Sequence, residues 1–434
     1  MPIQTSPASA TKYHLIAFDG AGSERTDDAA GMMSERILAD IKAAGATDIF
    51  ILSHGWQGDM PAAIQQYDKW IDAAARCTAD LDALKNARPG FTPFTIGIHW
   101  PSLAWGDEEI PTGSVSFAPG ASPLEGLVSK YAARLADTPA ARTALRTIIT
   151  AALTDIAPDT MPAEVSAAYT ALNREAGLAS GGPAAGPGAD REPFDPERVY
   201  AAAQDSTSFG LLDNLGGLLA PLRTLTFWQM KDRAKAIGES AVHQLLQKIQ
   251  QATGGDVRIH LMGHSFGCIV VSATLAGPGG TAPLVRPVNS LALVQGAFSL
   301  WSYCTDIPVA LGQPGYFASV ASGGKVSGPI VTTQSSRDTA VGTYYPIAAG
   351  LRGDVAFAAA LPKYGGVGSF GLRGPGLDIV DLAMKPATDA YTLEPGKIYN
   401  LESTQYICDG GGTSGAHNDI AKSEVAHPIW TAAL

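Results

Sequence analysis

Gly263-His264-Ser265-Phe266-Gly267 sets a serine between two glycines. In a chain with 48 glycines that pattern alone decides little, so its setting carries the weight. Residues 258–262 (RIHLM) read as a strand, and 268–275 (CIVVSATL) read as a buried helix. Strand, sharp turn and helix are what presents a serine hydroxyl as a nucleophile, with free N–H groups and the helix dipole favouring a developing negative charge. The flanking glycines let the backbone turn tightly. A second turn, Ser53-His54-Gly55-Trp56, follows the apolar run 48–53. Acyl transfer needs two donors aimed at one oxyanion, each worth about 3 kcal/mol in the transition state. The backbone N–H groups of Trp56 and Phe266 are the candidates. The alternative reading of each motif is structural: a Gly-rich turn with an incidental serine, and a turn glycine beside a half-buried tryptophan.

With these two turns, the order of elements over residues 12–100 and 227–434 resembles the α/β-hydrolase superfamily, on its serine esterase and lipase side. The resemblance implies a triad in the chain order serine, acid, histidine. It places the acid just after the next-to-last strand, where the run 329–333 leads through a polar loop to Asp338. A buried carboxylate there would accept the imidazole N–H, fix its tautomer and stabilise the imidazolium. Asp306, Asp378 and Asp381 are rivals, and a loop-capping role is the structural alternative for Asp338. The base is expected after the final strand, at His417 in 414–420 (SGAHNDI). His427, beside Pro428, reads as a packing or surface residue. His54, Gly55 and His264 lie within the motifs and so beside any substrate, although both histidines read as structural or supporting groups.

These residues need a scaffold. Short apolar runs at 13–18, 48–53, 94–100, 257–262, 290–294, 329–333 and 397–401 alternate with helical patterns. That alternation predicts an α/β fold with a mostly parallel central sheet and helices on both faces. Continuously apolar runs such as 49–52 (IFIL) suit strands buried on both sides. Helices are expected over 32–44, closed by Gly45, from Asp59 and Pro61 through Ala74, and along Met230, Ala234, Ile237, Ala241, Leu245 and Ile249. Residues 101–226 offer no strand and read as a mostly helical cap or lid inserted into a catalytic domain of 1–100 and 227–434. Within the insertion, the Gly/Pro-rich stretch 177–193 reads as a flexible loop. Leu211, Leu212, Leu215, Leu218, Leu219 and Leu222 look like a helix laid over a pocket or packed on the core, and Trp301 is a candidate second wall. The stretch 342–396 shows no clear strand.

Composition narrows the partners. The net charge is −11, with no Lys/Arg-rich run, so a phosphate-binding footprint is missing. No run of ~18 apolar residues suggests a membrane span. Four dispersed cysteines and an N-terminus without a basic start or apolar run suggest reduced thiols and a cytoplasmic protein. Gly366-x-Gly368-x-x-Gly371 satisfies the dinucleotide fingerprint literally but follows no strand and opens no helix. The 19–22 turn lacks cation-loop spacing. No metal-ligand cluster and no cofactor are expected. The expected activity is hydrolysis of a small acyl compound with an apolar part, most naturally a carboxylic ester. A thioesterase, amidase or lactonase would use the same triad, and a non-catalytic binding protein on the same fold is the reading from another class.

Overall fold

All seven expected strands form, and two more join them. The computed structural model describes residues 3–26, 31–56, 58–102, 123–205, 217–344, 361–411 and 414–434. Its strands are β1 (Ile3–Thr5), β2 (Lys12–Ala17), β3 (Asp48–Ser53), β4 (Pro93–His99), β5 (Arg258–His264), β6 (Ser290–Val294), β7 (Ile330–Gln334), β8 (Ile379–Ala383) and β9 (Ile398–Glu402). They make one sheet in the order β1-β2-β4-β3-β5-β6-β7-β9-β8. Only the β1–β2 pair is antiparallel. β8 corrects the reading of 342–396 as strand-free. It is a half-exposed edge strand, so it carries no continuous apolar run to mark it.

The helices between β1 and β5 are α1 (Met33–Ala44), α2 (Met60–Ala75), α3 (Thr78–Ala87), α4 (Pro123–Ala132), α5 (Pro139–Thr154), α6 (Ala163–Glu175), α7 (Pro196–Asp205), α8 (Ala220–Ile237) and α9 (His243–Ala252). After β5 come α10 (Gly267–Ala276), α11 (Ala318–Ser322), the single turn α12 (Val367–Phe370) and α13 (Ser423–Thr431). Their ends follow the sequence signals. Gly45 closes α1 at φ 60°, a conformation that costs glycine little. Asp59 Oδ1 accepts from Ala62 N at 2.8 Å and Pro61 sits in the first turn of α2. A π-helical turn at Gly238–Val242 joins α8 to α9 where Gly238 meets α10. A methyl there would fall 2.5 Å from the Val270 carbonyl oxygen.

The two sheet faces carry different cores. Ile49 and Ile51 of β3 pack with α1, α8, α9 and α10. Leu52 of β3 and Met262 of β5 pack with Tyr67, Trp70 and Val425 of α2 and α13. α2, which follows β3, and α10, which follows β5, thus cover opposite faces. This makes the space beyond the C-terminal ends of these paired strands a topological switch point, where α/β sheets open a crevice.

The described part of 101–226 is helical and contains no strand. It is not laid loosely on the sheet. Leu145, Ile148, Tyr169, Leu172 and Leu222 are each 0% exposed and belong to the same core as Ile16 and Ile51. Leu218 and Leu219 are buried there too, at 1% and 2% exposure, which makes them packing residues. Leu211, Leu212 and Leu215 lie outside the described residues. The 177–193 stretch corrects a second expectation, because buried charges pin it. Lys231 Nζ on α8 lies 2.7 and 2.9 Å from the Asp190 carboxylate oxygens, and both residues are almost fully buried. Arg191 donates to the Ala179 carbonyl (3.1 Å) and Asn173 Oδ1 (2.9 Å), and Glu192 pairs with Lys363. The glycines serve close approach: a methyl on Gly188 would sit 2.6 Å from Asp232 Cβ.

Candidate active site

The elbow is built by its glycines. A methyl on Gly263 would lie 2.4 Å from Gly267 C, and one on Gly267 would lie 2.2 Å from the Ser53 carbonyl oxygen. The turn after β5 therefore closes on itself and presses against the end of β3. Between these glycines Ser265 takes φ 56°, a conformation disfavoured for any residue with a Cβ. Its backbone is locked there: Ser265 N–H donates to the Val294 carbonyl (3.1 Å), and Ser265 O accepts from Cys268 N (3.2 Å) and Ala297 N (3.3 Å). α10 begins two residues later with every side chain buried.

The Ser53–Trp56 turn abuts this elbow. A methyl on Gly55 would lie 2.7 Å from Ser265 Cβ, so only glycine permits the approach. The turn is held by groups pointing away from the crevice. His54 N donates to Tyr67 Oη (2.9 Å), Trp100 Nε1 donates to the His54 carbonyl (3.1 Å), and His54 Nδ1–H donates to the Gly55 carbonyl (2.8 Å). His54 Nε2 is then an acceptor, taking Trp100 N (3.3 Å) and His99 Nδ1 (3.2 Å). Burial holds both rings neutral, pushing His54 down to about 3 and His99 to about 4. Among the described residues neither the Trp56 nor the Phe266 backbone N–H has an acceptor. Two free donors thus flank the serine.

Asp338 and His417 come together as expected. His417 Nδ1–H donates to Asp338 Oδ2 at 2.7 Å, with Asp338 1% and His417 7% exposed. The rivals go elsewhere: Asp306 accepts from Gly312 N in a turn and Asp381 pairs with Arg373. Asp378 makes its described contact through its backbone, accepting from Ile398 N. His427 is bound to Asp80, joining α13 to α3. The serine hydroxyl makes no hydrogen bond among the described residues. Its link to His417 runs through the neighbouring His264, whose Nε2–H donates to the His417 carbonyl (2.9 Å) and whose Nδ1 accepts from Gln66 Nε2 (3.2 Å). Burial and the His417 ring, 4.9 Å away, hold His264 down to about 3. His54 and His264 are thus buried, with their ring nitrogens engaged behind the two turns.

Other expected wall residues fall outside this group. Trp301 lies in a separate apolar cluster with Leu300, Cys304 and Phe370, its Nε1–H donated to the carbonyls of Pro362 and Lys363. Next to the elbow the half-buried Trp56 packs on Phe266 and on Phe227 of α8, both buried in the core, with ring centroids 5.1 to 5.6 Å apart. A cavity of about 190 Å³ lies on the α2/α13 face, lined by Leu52, Trp70, Met262, Ile420 and Trp430 but by none of the three triad candidates.

No motif marked Gln295 as a site residue. Gln295 Nε2 donates to Asp338 Oδ2 at 2.8 Å, and Val341 N donates to Asp338 Oδ1 at 2.9 Å. The Gly366-x-Gly368-x-x-Gly371 run belongs here too. A methyl on Gly368 would lie 2.8 Å from Gln295 C and 3.2 Å from Asp338 Oδ2. Gly368 packs beside the acid, while Gly366 meets Val341 and Gly371 meets Asn400. One described group has metal-ligand geometry, Cys408, Asp409 and Asp419, and Lys422 Nζ already sits 2.6 and 3.1 Å from its two carboxylates.

Comparison with protein-family models, with curated proteins and with solved structures finds no match to this chain. No described helix is long and apolar enough to cross a membrane.

Proposed function

We propose that this protein is a serine hydrolase of the α/β-hydrolase type that cleaves an acyl bond, most naturally a carboxylic ester. The observation that carries the reading is the 2.7 Å contact of His417 with a buried Asp338 at the same sheet edge as a serine held at φ 56° between two free backbone donors. Ser265 attacks the carbonyl carbon while His417 takes its proton, with Asp338 orienting the ring and stabilising the imidazolium. The N–H groups of Trp56 and Phe266 hold the oxyanion. The tetrahedral intermediate collapses, His417 returns the proton to the departing alcohol, and water hydrolyses the acyl-enzyme with the same histidine as base. His417 Nε2 is the nitrogen that serves, because Nδ1 is occupied by Asp338. Among the described residues the Ser265 hydroxyl has no hydrogen-bond partner, and such contacts often form only with substrate bound.

The half-buried Trp56 ring beside the elbow favours an acyl compound with an apolar part. Ester, thioester, amide and lactone share this chemistry, and the ester is the member of the set proposed here. A panel of p-nitrophenyl esters, thioesters and anilides of equal acyl length tests the assignment. The ester is expected to turn over fastest, and Ser265→Ala is expected to abolish turnover. Undiminished hydrolysis by Ser265→Ala would refute the proposal.

A further inference from the structure

We infer that Gln295 is a positioning residue that sets the basicity of His417 through Asp338, an inference that rests on the hydrolase reading above. Gln295 follows β6 and is 0% exposed. Its backbone is held at φ 46°, one of three non-glycine residues with positive φ in the described chain; Ser265 is another and Ala10 the third. The two strained residues of the crevice thus follow neighbouring strands, β5 and β6. A strained backbone persists only where its surroundings fix it. Here Gln295 N donates to Thr333 Oγ1 (2.9 Å).

The side chain uses both ends of its amide. Thr333 Oγ1–H donates to Gln295 Oε1 at 2.9 Å, and the acceptor-only Asp338 Oδ2 and Gly368 carbonyl on the other side require the nitrogen there. The Nε2 group then points at Asp338 Oδ2 (2.8 Å) and the Gly368 carbonyl (3.2 Å). That carboxylate oxygen is the one that accepts the His417 Nδ1–H at 2.7 Å. The amide therefore competes with the imidazole for the same negative charge. A lysine would neutralise the carboxylate, and an apolar residue would leave its charge to the imidazole alone. Gly368 allows the approach, since any Cβ there would push against Gln295.

The sign follows from the charge. Removing a donor from Asp338 leaves more negative charge for the imidazolium, so His417 holds its proton more tightly. The acid limb of activity, below which His417 is protonated and cannot act as base, then moves to higher pH. Gln295→Met keeps the length of the side chain and removes the amide. Thr333→Val removes the hydroxyl that orients the amide and keeps the strand filled. The experiment measures kcat and KM for p-nitrophenyl butyrate, and the rate at which a fluorophosphonate phosphonylates Ser265, from about pH 4 to about pH 9. In Gln295→Met both acid limbs are expected to rise by roughly half a pH unit or more. Thr333→Val is expected to shift them the same way by less, with KM little changed in both. Unmoved limbs in both variants, even with lower plateau rates, would reduce Gln295 to a space-filling residue and overturn the inference. Should Gln295→Met fail to fold, the Thr333→Val limb decides. Failure of the wild-type protein to react at Ser265 would instead overturn the hydrolase reading itself.

Discussion

Ser265 is held in a conformation that works against the fold and, on the hydrolase reading proposed above, in favour of the chemistry. A Cβ at φ 56° costs on the order of 1–3 kcal/mol, and the surrounding backbone bonds hold it there. Replacing the side chain with hydrogen removes that cost, against a smaller loss from the freer unfolded chain. Ser265→Gly is therefore expected to raise stability by about 1 kcal/mol while eliminating hydrolysis. Urea unfolding of both proteins checks this, and a destabilised Ser265→Gly would mean that the serine is not strained. The acid is treated differently. Asp338 is buried among an imidazole, an amide and a backbone N–H, so its charge has partners on both oxygens.

The elements position these residues through backbone contacts that exclude side chains. The turn after β5 fits the end of β3 only because residues 263 and 267 are glycine. Gly267→Ala would drive a methyl into the Ser53 carbonyl and is expected to cost about 3 kcal/mol or more, lowering the melting temperature by several degrees. A neutral substitution would show that the elbow has room to relax. The sequence made most of this legible. Apolar runs buried on both faces marked the central strands, and Asp59, Pro61 and Gly45 marked helix ends through their own backbone chemistry. β8 escaped because it is a half-exposed edge. The 177–193 stretch misled for another reason. Its glycines suggested freedom, while its order comes from Asp190 reaching Lys231, 41 residues away, a pairing no local pattern contains. Gln295 was illegible for the same reason, since its partners Thr333, Asp338 and Gly368 meet only through the sheet and the segment after β7.

At the scale of the whole molecule, buried neutral histidines couple the fold to pH. His54 and His264 are held to about 3 and His99 to about 4, all by burial, while the unfolded chain carries them near 6.5. Above about pH 6.5 neither state binds these protons and the stabilising difference is complete. As pH falls below that value the unfolded chain takes up protons that the folded one refuses. Three such groups give a loss of about 4 kcal/mol per pH unit near pH 5. Urea midpoints at successive pH values between about 7 and 5 are expected to fall steeply, with proton uptake on unfolding. A midpoint independent of pH over that range would contradict the burial of these rings. The insertion belongs to the same unit, because its leucines and Tyr169 complete the core that the sheet begins.

The central claim is that Ser265 is an activated nucleophile, and covalent labelling tests it most directly. A fluorophosphonate reacts with a serine whose proton is taken by a neighbouring base and whose oxyanion is received by donors. Incubation of the wild-type protein near neutral pH, followed by peptide mapping, is predicted to place one phosphonyl group on Ser265. His417→Ala is predicted to abolish the labelling while the protein remains folded. An unlabelled Ser265 in the folded wild-type protein, or equal labelling without His417, would contradict the account.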